Sequence, residues 1–378
     1  MTDTTVTIRS RPDFTPPPRP TRRERMRTML DRVRLIRFLA LLAVKEHVMP
    51  DLHVRPLVAE LFLTDNCNLN CVSCNCWRTH TRDELSLAEW RSVIDQLADL
   101  GFVKLNFTGG EALIRRDACD VISHARSRGF RDLHLNTNGI VLDESRLAEV
   151  LQAGIRSFNV SVDGPTAETH DSVRGRDGAF DVTIDAIRRI VARRDDFGLT
   201  VQMNFTVLAG NVSLLPAMAD LAAELDVDLY LNLGTDTTFL FRHPEVTANL
   251  DVDEAQLRAA LAVLEERSRR GDRHLPTVRD LRYIPGHFGF GRLDLVPCVE
   301  SQLKLMVHST GGVGGCWGHD PSFNLRERSV RSIVDGPEYR EEHARLFRKD
   351  CVRCGSNYSL NLRARPAGLA EALSRRLR

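Results

Sequence analysis

Between Leu57 and Leu233 six short apolar runs alternate with five longer amphipathic stretches. The runs lie at 57–64, 103–108, 132–136, 157–162, 199–207 and 228–233, with helical spacing near 87–100, 117–128, 143–153, 179–195 and 213–226. In 87–100, Trp90, Val93, Ile94 and Leu97 recur at three- and four-residue steps, which places them on one helix face. Such alternation with short connections predicts a parallel sheet with right-handed crossovers. An open doubly wound sheet and a curved partial barrel both satisfy it. In either, groups that do chemistry gather beyond the C-terminal ends of the strands. Cys67 follows the first strand, Gly109–Glu111 the second, Asn136–Gly139 the third, Ser161–Gly164 the fourth and Asn211 the fifth. One shared site accounts for that convergence.

Nine cysteines bear on what the site holds. No apolar run approaches the ~20 residues needed to span a bilayer. The longest, Leu35 to Val44, is interrupted by Arg37, and the Arg- and Pro-rich first forty residues do not read as a secretory signal. The expected compartment is therefore the cytoplasm, where thiols stay reduced and clustered cysteines bind metal rather than pair. Four fall at 67, 71, 74 and 76, four at 298, 316, 351 and 354, and Cys119 stands alone. C-x3-C-x2-C places three thiolates on a short loop. A cubane cluster bound this way keeps one iron open, much as a catalytic zinc keeps a vacant position. Spacing alone shows only the three-thiolate site. Cys76 lies too near Cys74 to make an easy fourth corner and reads as a small buried thiol beside Trp77.

Placed directly after the first strand, this motif resembles the signature of the radical S-adenosylmethionine (SAM) superfamily. The resemblance implies that Cys67, Cys71 and Cys74 hold a [4Fe–4S] cluster whose open iron binds the amino and carboxylate groups of SAM. It also implies reductive cleavage of SAM to a 5′-deoxyadenosyl radical that takes hydrogen from a substrate. Thr108-Gly109-Gly110-Glu111 is similar to the family's GGE element, which contacts the SAM amino group. Strand alternation puts Asn159, Ser161 and Asp163 on one face, and in relatives a polar residue here meets the ribose. The text 163–175, DGPTAETHDSVRG, also looks like the family, with His170, Asp171 and Arg174 in matching places. Arg174 would pair with the SAM carboxylate as a fork. Asn138, within Asn136–Gly139, would meet adenine or substrate, although turn formation explains that run nearly as well.

The late cysteines form C-x17-C and C-x2-C pairs, a closed four-thiolate set that spacing alone leaves between zinc and iron–sulfur. Their order resembles the start of the SPASM extension of radical SAM maturases. No cysteine follows Cys354, so the segment looks like the shortened twitch form, in which Cys298, Cys316, Cys351 and Cys354 would hold one auxiliary [4Fe–4S] cluster. The expected fold is thus α/β, a partial (β/α)6 TIM-like barrel with a small C-terminal cysteine-rich, SPASM-like twitch domain. Its divisions are a disordered tail (1–20), a basic amphipathic helix (21–56), the radical SAM core (57–240), a helical connector (241–297), the auxiliary-cluster domain (298–358) and a basic tail (359–378). Met26, Leu30, Val33, Ile36, Leu39 and Ala43 carry the helical spacing in the second.

The expected reaction is hydrogen abstraction from a small carbohydrate- or aminocyclitol-like natural product, leading to oxidation or epimerisation. Epimerisation would need a thiol hydrogen donor, for which Cys76 and Cys119 are the candidates. Maturation of a ribosomal peptide is the alternative, though the 56 residues before the first strand look short for a leader-peptide domain. A non-catalytic iron–sulfur redox protein is a further rival. Reduction calls for a flavodoxin- or ferredoxin-type donor. Residues 1–40 carry ten arginines against four acids, and 363–378 carry five against Glu371, so the middle is acidic under an overall charge of +1. Basic ends on an acidic body can meet an anionic surface, whereas no nucleic-acid partner is expected.

Overall fold

The computed structural model describes residues 14–16, 18, 21–74, 76–78, 81–234, 250–291, 298–316 and 319–348. Helix α1 spans Arg22–His47. The six alternations then appear as β1 (Val58–Thr64), α2 (Leu87–Leu100), β2 (Lys104–Gly109), α3 (Ala118–Ser127), β3 (Asp132–Thr137), α4 (Glu144–Ala153) and β4 (Ser157–Ser161). Helices α5 (Ala167–Arg174) and α6 (Ala179–Val191), strand β5 (Thr200–Val207), a helix at Leu215–Glu224 and β6 (Asp228–Leu233) complete them. Local chemistry sets the boundaries. Ser86 and Glu89 form a capping box at the start of α2, and Gly101 ends it in the left-handed region at φ 85°.

The strands lie in the order β6-β5-β4-β3-β2-β1, all parallel, and β7 (Lys304–Val307) adds in parallel beside β1. Two short antiparallel strands, β8 (Gly312–Gly314) and β9 (Phe323–Asn324), extend that side, so the sheet stays open. Register aligns the side chains in rows. Phe107 pairs with Leu61 and Leu135, and Leu135 with Phe158, which makes one apolar row beneath the helices. The alternate row sets Asn106 beside Glu60 and His134, and Asn159 beside Asn136 and Gln202. A parallel sheet covered on both faces reads as continuous apolar text. These strands alternate because only their outer face is packed, against the helices.

In the segment from 298, β7 pairs with β1, and Val307, Val313, Ile333 and Tyr339 join the same apolar core as the barrel. Cys351, Cys354, the basic tail, most of the N-terminal tail and residues 241–249 lie outside the described residues. Helix α1 forms where the spacing places it. Phe38, Leu42 and Lys45 are buried, while Met26, Leu30, Val33 and Ile36 are all more than half exposed. At 100° per residue the two sets lie nearly half a turn apart. Among the described residues, no helix is long and apolar enough to cross a membrane.

Strand β7 is tied to β1 by charge as well as by its ladder. Lys304 Nζ, on a largely buried side chain, lies 3.2 Å from Glu60 Oε2 and 2.9 Å from Glu300 Oε1. The two carboxylates hold the ammonium protonated against the cost of burial. Removing one partner of such a set leaves buried charge uncompensated, which costs about 3–5 kcal/mol. Lys304→Met is therefore expected to lower unfolding free energy by that amount in chemical denaturation, and the Lys304→Met/Glu300→Gln double variant to recover part of it.

Candidate active site

The loop after β1 has little regular structure, so neighbours must satisfy its backbone. The turn after β2 does so on one side: Gly110 N–H donates to Thr64 O at 2.8 Å and Glu111 N–H to Asn66 O at 2.9 Å. The two chains approach so closely that a Cβ on Gly109 would sit 2.2 Å from Thr64 O, and one on Gly110 2.1 Å from Asn66 O. The glycine pair thus makes room for the cysteine loop itself. On the other side the end of α5 clasps the loop. Asn70 N–H donates to Arg174 O at 3.2 Å and Val72 N–H to Val173 O at 2.9 Å, and Gly175, at φ 66°, closes the helix against Asn70. Within the loop, Trp77 Nε1 donates to Cys71 O at 3.2 Å, and Glu84 Oε1 accepts from Thr64 Oγ1 and the Asp65 N–H.

Held this way, Cys67, Cys71 and Cys74 line the C-terminal end of a cavity of ≈ 410 Å³ in the barrel interior. Three soft thiols on one short loop are the donor set that suits an iron–sulfur cluster with one open corner. Among the described residues, no three His, Cys, Asp or Glu side chains converge on a single-ion site. Burial pushes the Cys71 thiol up to about 12, and the Arg174 guanidinium pulls against it. Cys76 is buried in the same lining, and its backbone N–H lies 3.4 Å from Cys74 Sγ. Cys119 is not brought there. It lies on α3, half-buried against the outer core, behind the sheet from the cavity. Cys298 and Cys316 are both half-buried, and Cys298 N–H donates to Phe347 O at 3.0 Å.

The other expected ligand residues divide into struts and available groups. Glu111 is fully buried, and its carboxylate accepts from Thr137 Oγ1 at 3.0 Å, Asn138 N–H at 2.7 Å and Leu113 N–H at 3.1 Å. It fastens the end of β2 to the end of β3. Asp163 is bound by Arg174 Nη2 at 2.8 Å and by the Thr206 N–H at 2.9 Å, while its own N–H donates to His170 Nδ1 at 3.2 Å. Arg174 Nη1 also lies 3.8 Å from Cys71 Sγ. The arginine expected to fork a carboxylate therefore already bridges Asp163 and a cysteine. Asn138 Nδ2 donates to Asn68 Oδ1 at 2.7 Å, which binds the third strand end to the cysteine loop. Ser161 faces the cavity, and its hydroxyl has no partner among the described residues.

Sequence reasoning missed the deeper lining. Glu60, Lys104, Asn106 and His134 surround the lower cavity, with Gln202, Asn204 and Tyr230 across from them. The signal was present as alternation: polar residues occupy every second position of β2 to β6, between Leu105, Phe107, Leu135, Val160 and Met203. Burial holds His134 down to about 3, and its Nδ1 meets Ser157 Oγ at 2.7 Å. His170 is likewise held down to about 3 by burial.

The comparisons agree with this geometry. The family model described as Radical SAM superfamily matches residues 61–230. Fe-coproporphyrin III synthase of Methanosarcina barkeri is 34% identical over 332 residues, which cover 77% of this chain and 79% of that protein. The AdoMet-dependent heme synthase of the same organism is 37% identical over 170 residues, covering 44% of this chain but only 47% of its own length. Among solved structures, Streptococcus suis SuiB bound to S-adenosylmethionine has a TM-score of 0.59 at 15% identity, over 76% of this chain and 67% of that chain. That last likeness is one of fold.

Two outcomes follow for this site. Gly110→Ala forces a Cβ into the Asn66 carbonyl, whereas Gly210 has open space around it. Iron loading after anaerobic reconstitution is expected to fall severalfold in Gly110→Ala and to stay unchanged in Gly210→Ala. The two buried histidines have folded pKa values below the unfolded ~6.5, so their contribution is complete above that pH and is lost as pH falls toward 3. Each adds up to about 1.4 kcal/mol per pH unit to the loss of stability. Denaturation midpoints measured between neutral and mildly acidic pH check the slope, and His170→Gln is expected to flatten it.

Proposed function

This chain belongs to the radical SAM superfamily, and on that premise we propose that it binds SAM at a cluster held by Cys67, Cys71 and Cys74 and abstracts hydrogen from a polar substrate inside the barrel. Cluster and SAM together supply a 5′-deoxyadenosyl radical, the hard chemistry of the reaction. The protein's own part is position and exclusion of water. The Gly109–Glu111 turn and the end of α5 hold the three thiols at the cavity mouth. Arg174 keeps a positive charge beside Cys71, which favours the thiolate over the thiol. Ser161 offers a hydroxyl that has no partner among the described residues, at the level where a ribose would lie. The backbone of Gly110 and the side chain of Asn138 bound the same space.

The observation that carries the substrate reading is the polar interior. Rows of amide and charged side chains, such as Asn106, Asn159, Gln202 and Asn204, face a cavity that an apolar ligand would leave unsatisfied. A small hydrogen-bonding molecule of carbohydrate or aminocyclitol type fits, with oxidation or epimerisation as the outcome. For epimerisation Cys76 is the thiol in the cavity lining. A second reading follows from the relative named Fe-coproporphyrin III synthase, which aligns over most of both chains and favours a carboxylated tetrapyrrole. Cys298 and Cys316, with Cys351 and Cys354, would hold the auxiliary [4Fe–4S] cluster, which could accept the second electron of an oxidation. A flavodoxin or ferredoxin would supply the first.

Anaerobic reconstitution followed by reduction with SAM tests the whole reading. About eight irons per chain are expected, with release of 5′-deoxyadenosine that Cys71→Ala abolishes. Zinc in place of the second set of irons would remove the auxiliary cluster. Absence of SAM cleavage by fully reduced protein would overturn the reading itself. Ser161→Ala is expected to raise the KM for SAM about fivefold, the loss of roughly one neutral hydrogen bond, with kcat little changed.

A further inference from the structure

Helix α1 carries two apolar faces, and the fold uses one. The inner face, with Phe38 and Leu42, packs on Val54, Val299 and Phe347. Farther toward its N-terminus the helix is fastened under the barrel: Glu24 pairs with Arg131, Arg27 lies against Gly129, and Arg34 lies against Gly101. Those partners immediately precede β3 and β2, so α1 crosses beneath the N-terminal ends of the strands. The cysteines stand at the opposite, C-terminal ends. The outer face of α1 therefore looks away from the active site.

That outer face has a definite chemistry. Met26, Met29, Val33, Ile36 and Val44 fall within one sector at 100° per residue, and Met29 and Ile36 are 66% and 67% exposed. Arg25 and Arg32 flank the stripe on one side, Arg23 and Arg37 on the other, and all four are exposed. The acids of the same stretch are sorted away from it. Glu24 and Asp31 lie on the inner side, where Glu24 meets Arg131 and Asp31 meets Arg34. A random solvated face would not separate its charges in this way.

We propose that the outer face of α1 is an interfacial anchor that seats this protein on an anionic lipid surface, with the cysteine end of the barrel turned toward water. An apolar stripe between two rows of arginine is the pattern of a helix lying in the plane of a bilayer, its apolar side chains among the acyl chains and its cations at the phosphates. A second copy of the chain is a poor occupant. A two-fold contact sets a patch against itself, which would bring arginine rows together with no acid between them. The proposal is independent of the radical SAM reading, because it rests on α1 alone.

The test uses the full chain in sedimentation with phosphatidylcholine vesicles, with and without phosphatidylglycerol. Binding is expected only to the vesicles containing phosphatidylglycerol, and added salt is expected to weaken it. Replacing Arg25, Arg32 and Arg37 by Gln is expected to reduce affinity about a hundredfold, at roughly 1 kcal/mol per charge near the surface. Val33→Asp/Ile36→Asp is expected to abolish binding while the melting temperature and iron loading stay unchanged, since both positions are exposed. Equal binding to neutral vesicles, or no binding, would overturn the proposal. So would a wild-type dimer that Ile36→Asp converts to monomer.

Discussion

The loop that carries Cys67, Cys71 and Cys74 has little regular structure, so its backbone groups must find partners in the elements around it. In this chain two edges provide them: the Gly109–Glu111 turn from below and the last turn of α5 from above. Much else near the site serves that clasp. Glu111 is buried because it fixes the turn to the end of β3, and Asp163 is buried because Arg174, at the end of α5, must be fixed to β4 and β5. Charged groups enter a protein interior only when they are paired or fully hydrogen-bonded, and both carboxylates meet that condition. The same arginine then reaches Cys71, so the scaffold's electrostatics and the site's chemistry meet at one side chain.

The second organising feature is the inversion of the barrel. Helices cover the outer face of the sheet, which is apolar, while the inner face is polar and surrounds a cavity. Strand register turns individual polar residues into rows, because parallel neighbours repeat the same face at the same height. Strand β7 closes part of the remaining edge and brings Lys304 to Glu60, so the C-terminal segment belongs to the barrel wall.

Motif reading reached the cysteines, the glycine turn and the strand-end polar residues, since each is local and lies at a strand end. It read Glu111, Asp163 and Arg174 as ligand contacts and did not foresee the bonds that join their side chains to protein atoms. Sequence spacing says which level of the barrel a residue occupies, not which neighbour reaches it first. The inward lining of Lys104, His134, Gln202 and Tyr230 was visible as alternation, but its meaning depended on knowing which face the helices cover. For α1, periodicity identified the helix but not the face it seats, because both sides of it are apolar.

What the sequence determined by itself was the order of elements and the place of the chemistry. Alternating apolar runs impose parallel strands, and C-x3-C-x2-C after the first of them puts three thiols at the barrel mouth. Both are short-range constraints that a few residues satisfy alone. Only the tertiary structure decided which polar residues hold the scaffold and which face the cavity, and that β7 joins the barrel. It also decided that the arginine-lined stripe of α1 points outward. Each of those depends on contacts between segments tens to hundreds of residues apart, and such contacts are set by register and packing rather than by any local pattern.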